Sequence, residues 1–340
     1  MTRSRLLTAL MALVVTLAVV TGCSGRPDPA ADRRPADAQG SAQLSAQPDD
    51  EPQDEPQAQP EDEPGDVPDE LAPALAGTPR LPRTPAEAAA MVAAAQRVVR
   101  SEDPRPDLLA AAGHTAQLAV REIAVRPGWL PGVLDRLRRV DRAWARANVA
   151  ARREFRSMHP GSDRDLADEL PAWRIVPPAP ARTLLRSYRE AERRFGVDWE
   201  YLAAINMVET QFGRIRGTSV AGAQGPMQFI PTTWDIYGAG GDIDDAHDAI
   251  LAAGRLLRAN GFARDKGAAL WRYNNSWAYV RGVTHHAEVM SRDPRQLHGY
   301  LAWQVYYLTR VGSVWLPEGY VRRTPVPVRS YVAAHPERLP

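Results

Sequence analysis

A glutamate occupies the apolar face of a helix predicted over residues 198–213. Apolar side chains lie seven and four residues before Glu209 and three residues after it, at Leu202, Ile205 and Phe212. At about 100° per residue, all three fall within about 60° of the glutamate. Burial raises the pKa of a carboxyl because it disfavours the charged form. A carboxylic acid that keeps its proton near neutral pH can act as a general acid and protonate a leaving oxygen.

Helix geometry alone leaves a structural interpretation of Glu209 open. Its carboxylate could lie at the edge of the apolar stripe, where it would reach water or pair with Arg214 or Arg216. Long polar side chains commonly extend from a buried stem to solvent in this way. The residues that follow the helix are therefore needed to decide between a structural and a chemical role.

Two later patches have the chemistry of sugar binding. Glycines between residues 213 and 225 predict a loop that ends at Met227 and Gln228, and glycine permits close approach of the backbone to a ligand. The run YNNSWAYV begins at Tyr273 and Asn274. Aromatic rings cover the apolar faces of sugars, and amides bond their hydroxyl and N-acetyl groups. Each patch taken alone is equally compatible with core packing or turn chemistry.

Taken together, four blocks resemble the lytic murein transglycosylases, particularly the membrane-bound B class, with its goose-type lysozyme-like domain. The resemblance covers about residues 180–292. In chain order, the blocks are VET and FGR from Val208, GAQGPMQFIPTTW from Gly222, DAI from Asp248, and YNNS and YV from Tyr273. The family order and compatible spacing of all four blocks make the resemblance specific.

The resemblance implies a mechanism with one carboxylate and without a cofactor or metal. Glu209 would protonate the oxygen between N-acetylmuramic acid and N-acetylglucosamine in peptidoglycan, and the substrate's N-acetyl group would stabilise the anomeric carbon. Glu209 would then take the proton of the sugar's 6-hydroxyl, which closes a 1,6-anhydro ring. Ser219 would bond near the reacting sugar. The groove residues that would position the glycan are Met227, Gln228, Tyr273 and Asn274.

Two rival functions stay open beside this one. A hydrolytic muramidase needs a second carboxylate, and Asp235 in the next predicted helix is the candidate. Glu200 faces away from Glu209 on the same helix, and Asp198 is expected as its N-cap. A peptidoglycan-binding lipoprotein that acts as a scaffold would use the same groove without turnover. The retained Glu209 argues against that second rival.

Other reaction classes find little support in the chain. The single cysteine excludes an internal disulfide framework, and the seven histidines lack zinc-ligand spacing. No phosphate-binding glycine motif is present, which argues against nucleotide chemistry. Aspartates between residues 242 and 248 permit a calcium hypothesis but lack the EF-hand frame. Asp245 and Asp248 are better interpreted as an N-cap and a first-turn acid of a helix.

Helical periodicity dominates from residue 83 onwards and predicts an all-α, or mainly α, fold. A segment near 159–180 that contains Pro and Gly separates a helical module at 83–160, of unknown role, from the transglycosylase-like domain at 175–292. Residues 293–340 are expected to pack on that domain. The Arg-rich helix at 131–157 is interpreted as a solvated face over a packed stripe. The predicted helices are 84–100, 106–124, 131–157, 181–195, 198–213, 226–237, 245–260 and 276–292.

Residues 1–22 have the pattern of a bacterial lipoprotein signal peptide. Arg3 and Arg5 precede an apolar run that ends at Val20, and small residues stand directly before Cys23. This pattern resembles a lipobox, which implies cleavage before Cys23 and attachment of lipid there. The protein would then be anchored to the bacterial cell membrane, outside the cytoplasm.

Residues 23–82 are predicted to form a disordered tether. Proline recurs every four residues from 48 to 68, and eleven acidic residues lie between Asp49 and Glu70. The first 80 residues carry a net charge of −8, whereas the remaining 27 acidic and 36 basic residues give +9. The expected partners are anionic peptidoglycan glycan strands and the membrane. No nucleic acid is expected, because the 41 arginines form no basic run.

Overall fold

The computed structural model of the protein describes Leu75 and residues 80–159, 165–219 and 221–340. The predictions for the signal peptide, Cys23 and the tether up to residue 74 lie outside these described residues. All described residues belong to one compact unit. Among their helices, none combines the length and the apolar character that crossing a bilayer requires.

The described residues form twelve α-helices and six short strands, so the predicted mainly helical class is confirmed. The helices are α1 Pro85–Val99, α2 Pro106–Val125, α3 Trp129–Leu134, α4 Arg139–Ser157, α5 Ala181–Phe195, α6 Trp199–Thr210, α7 Pro231–Tyr237, α8 Ala246–Ala259, α9 Lys266–Tyr273, α10 Trp277–Arg292, α11 Gln296–Leu301 and α12 Val328–Ala334. The strands are β1 Glu169–Leu170, β2 Arg174–Ile175, β3 Ile215–Arg216, β4 Val305–Thr309, β5 Gly312–Leu316 and β6 Val326–Pro327.

Local sequence signals start the first helix. The side chain of Thr84 accepts a hydrogen bond from the backbone N–H of Glu87 at 3.1 Å, and Pro85 occupies the first helical position. Glu87 in turn accepts from the N–H of Arg83 at 2.6 Å, one residue before the cap. Leu75 is buried in the core, so the prediction of disorder up to residue 82 is wrong at that position.

Two predicted helices are shorter than the periodicity indicated. The stretch 131–157 divides into α3 and α4 because Arg138 has an extended backbone, with ψ of 158°. The helix predicted over 226–237 begins only at Pro231. Before it, Gln228 has a φ of 50°, a left-handed conformation that no helix continues through. The helices α9, α11 and α12 and the hairpin of β4 and β5 were not predicted.

The helices share one core in which the N-terminal helices pack directly on the C-terminal ones. α4 lies against α10, and α10 lies against α6. A glycine permits the first of these contacts: a Cβ atom at Gly282 of α10 would lie 2.4 Å from the ring of Phe155 on α4. The helical module and the predicted transglycosylase-like region are thus in direct contact through α4 and α10.

A second, smaller core is built from short strands. β1 pairs with β6, β2 with β3, and β4 with β5, all antiparallel. Residues 169–175, which lie in the segment predicted to separate two modules, are instead tied to strands from distant parts of the chain. The buried side chains of this β core are Leu170, Trp173, Ile175, Val305, Val314, Leu316, Tyr320, Val328 and Tyr331.

A buried ion pair joins three helices. Asp141, in the first turn of α4, is fully buried. Its carboxylate forms ion pairs with Arg100 Nη1 and, at 3.0 Å, with Arg138 Nε. Arg100 follows α1, and its Nε lies 3.2 Å from Asp293 Oδ2 at the end of α10. Because removal of one partner leaves buried charge without compensation, this network should contribute strongly to stability.

We expect Asp141→Ala to lower the free energy of unfolding by about 3–5 kcal/mol, since two guanidinium groups lose their buried partner. Asp135→Ala is the matched control, because Asp135 is exposed and lies just before α4. Urea denaturation of both variants measures the difference. Equal effects of the two substitutions would contradict a structural role for the network.

Candidate active site

Glu209 lies in the last turn of α6 and is 7% exposed, as its place on the apolar face predicted. The hydroxyl of Tyr279 donates a hydrogen bond to Glu209 Oε1 at 2.8 Å. Oε2 is buried and has no hydrogen-bond partner among the described residues. The carboxyl is therefore held through one oxygen only, and the second oxygen is a buried polar atom whose hydrogen-bonding capacity is not used by the described residues.

Burial raises the pKa of Glu209 to about 8, because the loss of water disfavours the carboxylate. The Tyr279 hydroxyl opposes this rise by donating to the ionised form. The alternative pairing with a nearby arginine is not found. Arg214 Nη2 donates to the carbonyl of Leu301 at 2.9 Å, and Arg216 Nη1 donates to the carbonyl of Asp244 at 3.2 Å. Glu209 thus carries its proton at pH 7.

The end of α6 is anchored to the loop that follows it. Asn206 Nδ2 donates to the carbonyl of Pro226 at 2.8 Å, and the Thr210 hydroxyl donates to the same oxygen. Gly225 has a φ of 72°, and a Cβ atom there would lie 1.9 Å from the carbonyl oxygen of Ile243. Only glycine fits this close approach. These contacts fix the loop relative to the helix that carries the glutamate.

Two of the predicted groove residues are connected to Glu209 through Tyr279. The rings of Tyr273 and Tyr279 stack with their centroids 6.4 Å apart and their planes 5° from parallel. The Tyr273 hydroxyl donates to the carbonyl of Met227 at 2.7 Å. The Met227 side chain is completely buried in the core. Tyr273 therefore helps to hold the ring of Tyr279, which binds Glu209, and the carbonyl of Met227 fixes the Tyr273 hydroxyl.

The other three residues predicted to bind substrate, Ser219, Gln228 and Asn274, hold local structure. Ser219 is buried, and its Oγ accepts from the backbone N–H of Ala223 at 2.9 Å. Gln228 is half-buried and donates from Nε2 to the carbonyl of Gly225 at 3.0 Å. Asn274 is buried where α9 ends. These bonds shape the loop, and a role in sugar binding for Ser219, Gln228 and Asn274 stays a prediction.

Glu209 lines a cavity of about 180 Å³ that sequence reasoning did not anticipate. Much of its wall comes from the module at 83–160, for which the sequence indicated no chemistry. The interpretation of the Arg-rich helix as a solvated face is wrong at Arg152, which lines this cavity. None of the five residues predicted to bind substrate, the four groove residues and Ser219, is among the lining residues. The lining residues from α2, from α4 and from the segment just after α4 are Gln117, Val120, Arg121, Asn148, Arg152, Phe155 and His159.

Glu209 is the only carboxylate among the described residues that line the cavity. Asp235 is exposed on α7. Asp198 occupies the N-cap position of α6, as expected. Its carboxylate, however, pairs with Lys266 and does not bind a backbone N–H of the helix. Glu200, in the first turn of α6, is half-buried.

The aspartates between 242 and 248 are engaged in protein contacts. Asp245 Oδ1 accepts from the N–H of Asp248 at 3.0 Å, which confirms the predicted N-cap of α8. Asp248 Oδ2 accepts from the N–H of Asp242 at 2.9 Å, and His247 Nε2 lies 3.0 Å from Glu190 Oε2. Capping and ion pairing thus account for this acidic group.

Comparison with protein-family models, with curated proteins and with solved structures found no match to this chain. Its function therefore has to be inferred from the site itself.

The raised pKa of Glu209 makes stability depend on pH. The native state keeps the proton up to about pH 8, whereas the unfolded chain releases it near 4.5. Between these values, the wild type should lose about 1.4 kcal/mol of unfolding free energy per pH unit relative to the Glu209→Gln variant. Urea denaturation at pH 5, 6, 7 and 8 measures this slope. Glu102→Gln, at an exposed position, is the control, and a difference that is flat with pH for Glu209→Gln would refute the burial of a proton.

Proposed function

We propose that this protein is a peptidoglycan lytic transglycosylase with a lysozyme-like domain. It would cleave the β-1,4 bond between N-acetylmuramic acid and N-acetylglucosamine and leave a 1,6-anhydromuramoyl product. The observation that carries the proposal is the burial of Glu209, with Oε1 bonded to Tyr279 and Oε2 without a partner among the described residues. The four sequence blocks that resemble this family support it independently.

In the first step, Glu209 acts as the general acid. Tyr279 donates to Oε1, so the acidic proton resides on Oε2, which lacks an acceptor among the described residues. A glycosidic oxygen brought to this position accepts that proton as its bond to the anomeric carbon breaks. The N-acetyl oxygen of the same muramic acid stabilises the positive carbon. Glu209 is left as a carboxylate, with Tyr279 donating to it.

In the second step, Glu209 acts as the base. Its carboxylate takes the proton of the 6-hydroxyl, and the resulting oxygen attacks the anomeric carbon to close the anhydro ring. The proton lost in the first step is regained, and no water is consumed. A carboxyl whose pKa lies near 8 suits both steps, because it gives and takes a proton near neutral pH.

The single-carboxylate reaction is favoured over a hydrolytic muramidase. Hydrolysis needs a second carboxylate to activate water or attack the sugar. Asp235, the sequence's candidate for that role, is exposed on α7 and is absent from the cavity wall. A purely binding protein is disfavoured because a buried acid at the cavity wall costs stability above pH 4.5 without aiding recognition.

The N-terminal sequence would place this activity at the cell wall. A lipid on Cys23 would hold the chain at the outer face of the bacterial cell membrane. The acidic, proline-rich tether would let the folded part reach glycan strands at a distance from the bilayer. We therefore include lipid anchoring outside the cytoplasm in the proposed function.

Digestion of purified peptidoglycan, followed by mass analysis of the products, tests the reaction. We expect 1,6-anhydro ends, and we expect Glu209→Gln to lower the rate by at least about a thousandfold, because amide nitrogen cannot supply the proton. Glu200→Gln, on the same helix, is the matched control and should retain activity. Reducing ends would identify a muramidase, and release of no fragments would indicate a binding protein.

The bond from Tyr279 should set the alkaline limit of activity. Tyr279→Phe removes a donor to the carboxylate, so the pKa of Glu209 should rise further and the alkaline limb of kcat/KM should move to higher pH. Tyr237→Phe is the matched control, because Tyr237 lies at the end of α7 and is not among the residues that line the cavity. An alkaline limb that stays in place or moves to lower pH would show that Glu209 is not the group being titrated.

A further inference from the structure

Two arginines share the cavity with Glu209, and the proposed mechanism uses neither. Arg121 projects from α2 and Arg152 from α4, and both are partly buried. Among the described residues, neither forms an ion pair with a carboxylate. Arg152 and Tyr306 act electrostatically on Arg121, and Arg156 acts on Arg152. Two histidines also lie within electrostatic reach, His114 of Arg121 and His159 of Arg152. The arginine pair thus places two like charges in one confined space.

Such an arrangement is costly for the protein alone. Guanidinium groups that lose water without gaining an anion pay a desolvation penalty, and two of them also repel each other. The pKa of Arg121 and that of Arg152 are both lowered, mainly by burial. A bound anion would remove both penalties, and arginine is the side chain best suited to hold a planar carboxylate.

The surroundings leave the arginine N–H groups available. The Arg121 guanidinium lies 4.2 Å above the ring of Tyr306, which occupies its face and leaves its edge free. The neighbouring amide of Gln117 is already engaged, because it both donates to and accepts from the backbone of Gln304 at 2.8 Å. Arg121 and Arg152 thus keep N–H donors that no other described residue engages.

Asn148 is engaged in the same way. Its Oδ1 accepts from the Tyr300 hydroxyl at 2.8 Å, and its Nδ2 donates to the carbonyl of Trp144 at 2.9 Å. Burial and Tyr279 account for the raised pKa of Glu209, and neither arginine is among its causes. The wall of the cavity thus carries a buried acid together with two arginines.

We propose that the arginine pair of Arg121 and Arg152 binds a carboxylate of the glycan substrate while Glu209 acts on its glycosidic bond. This inference rests on the proposed function, because it places the substrate in the cavity that Glu209 lines. Carboxylates occur at two places on such a strand: on the lactyl group of muramic acid, once its peptide is removed, and on the stem peptide itself. The module at 83–160 would thereby take part in substrate selection.

Binding to the Glu209→Gln protein, which should not turn over, tests the pair by calorimetry. The probes are a soluble muramyl tetrasaccharide with its stem peptides, the same compound with all carboxyls amidated, and the peptide-free tetrasaccharide with free lactyl carboxylates. We expect at least one charged probe to bind about 10–100-fold more tightly than the amidated one, as charge-assisted hydrogen bonds of about 1.5–3 kcal/mol imply. Preference for the peptide-bearing or the peptide-free probe identifies which carboxylate is held.

Substitutions in the same background locate the effect. Arg121→Gln and Arg152→Gln should each remove most of the preference for charged probes, whereas Arg121→Lys and Arg152→Lys should retain part of it. Arg146→Gln is the matched control, because Arg146 is exposed on α4 and the charge change is the same. Thermal melting should show that neither glutamine variant is less stable, since each loses an unpaired charge.

Equal binding of charged and amidated probes, or a preference that survives both glutamine substitutions, overturns the inference. The proposed function is tested separately by the anhydro products of the protein with Glu209 intact. Arginine-dependent binding without such products would leave the carboxylate site standing and refute the transglycosylase. Anhydro products together with binding that does not depend on the arginines would support the transglycosylase and refute the carboxylate site.

Discussion

The site depends on one hydrogen bond made in the absence of water. Glu209 has been taken out of solvent, and Tyr279 is the residue that donates to it. Burial alone would hold the pKa of the carboxyl still higher, and exposure alone would keep the carboxyl ionised at neutral pH. The tyrosine hydroxyl tempers the first effect, which leaves a group able to release and recover a proton near neutrality.

The rest of the fold serves to maintain that balance. α6 and α10 pack together and bring the two side chains into contact, and Tyr273 stacks on Tyr279 to hold its ring in place. Asn206 and Thr210 bind one carbonyl, that of Pro226, and so attach the glycine-rich loop to the same helix. A rigid frame of this kind favours catalysis, because little reorganisation is needed when charge develops.

Sequence reasoning succeeded where the signal is local. The burial of Glu209 follows from residues within seven positions of it, and the cap at Asp245 follows from its place directly before a helical pattern. It failed where the site joins distant segments. Arg152 and Tyr306 meet in one cavity although α4 and β4 lie far apart in the chain, and no periodicity encodes such a meeting.

The pairing of β1 with β6 sets the order in which the chain can assemble. The Tyr320 hydroxyl donates to the carbonyl of Pro171, 149 residues earlier, and Leu170 lies opposite Val326. Contacts between residues so far apart along the chain form late in folding, because closing the long loop between them costs entropy before the contact can stabilise the protein. The small β core therefore cannot close before residues 326–327 of β6 have been synthesised. Until then, Leu170 lacks its strand partner Val326, and apolar side chains exposed in this way during folding favour aggregation.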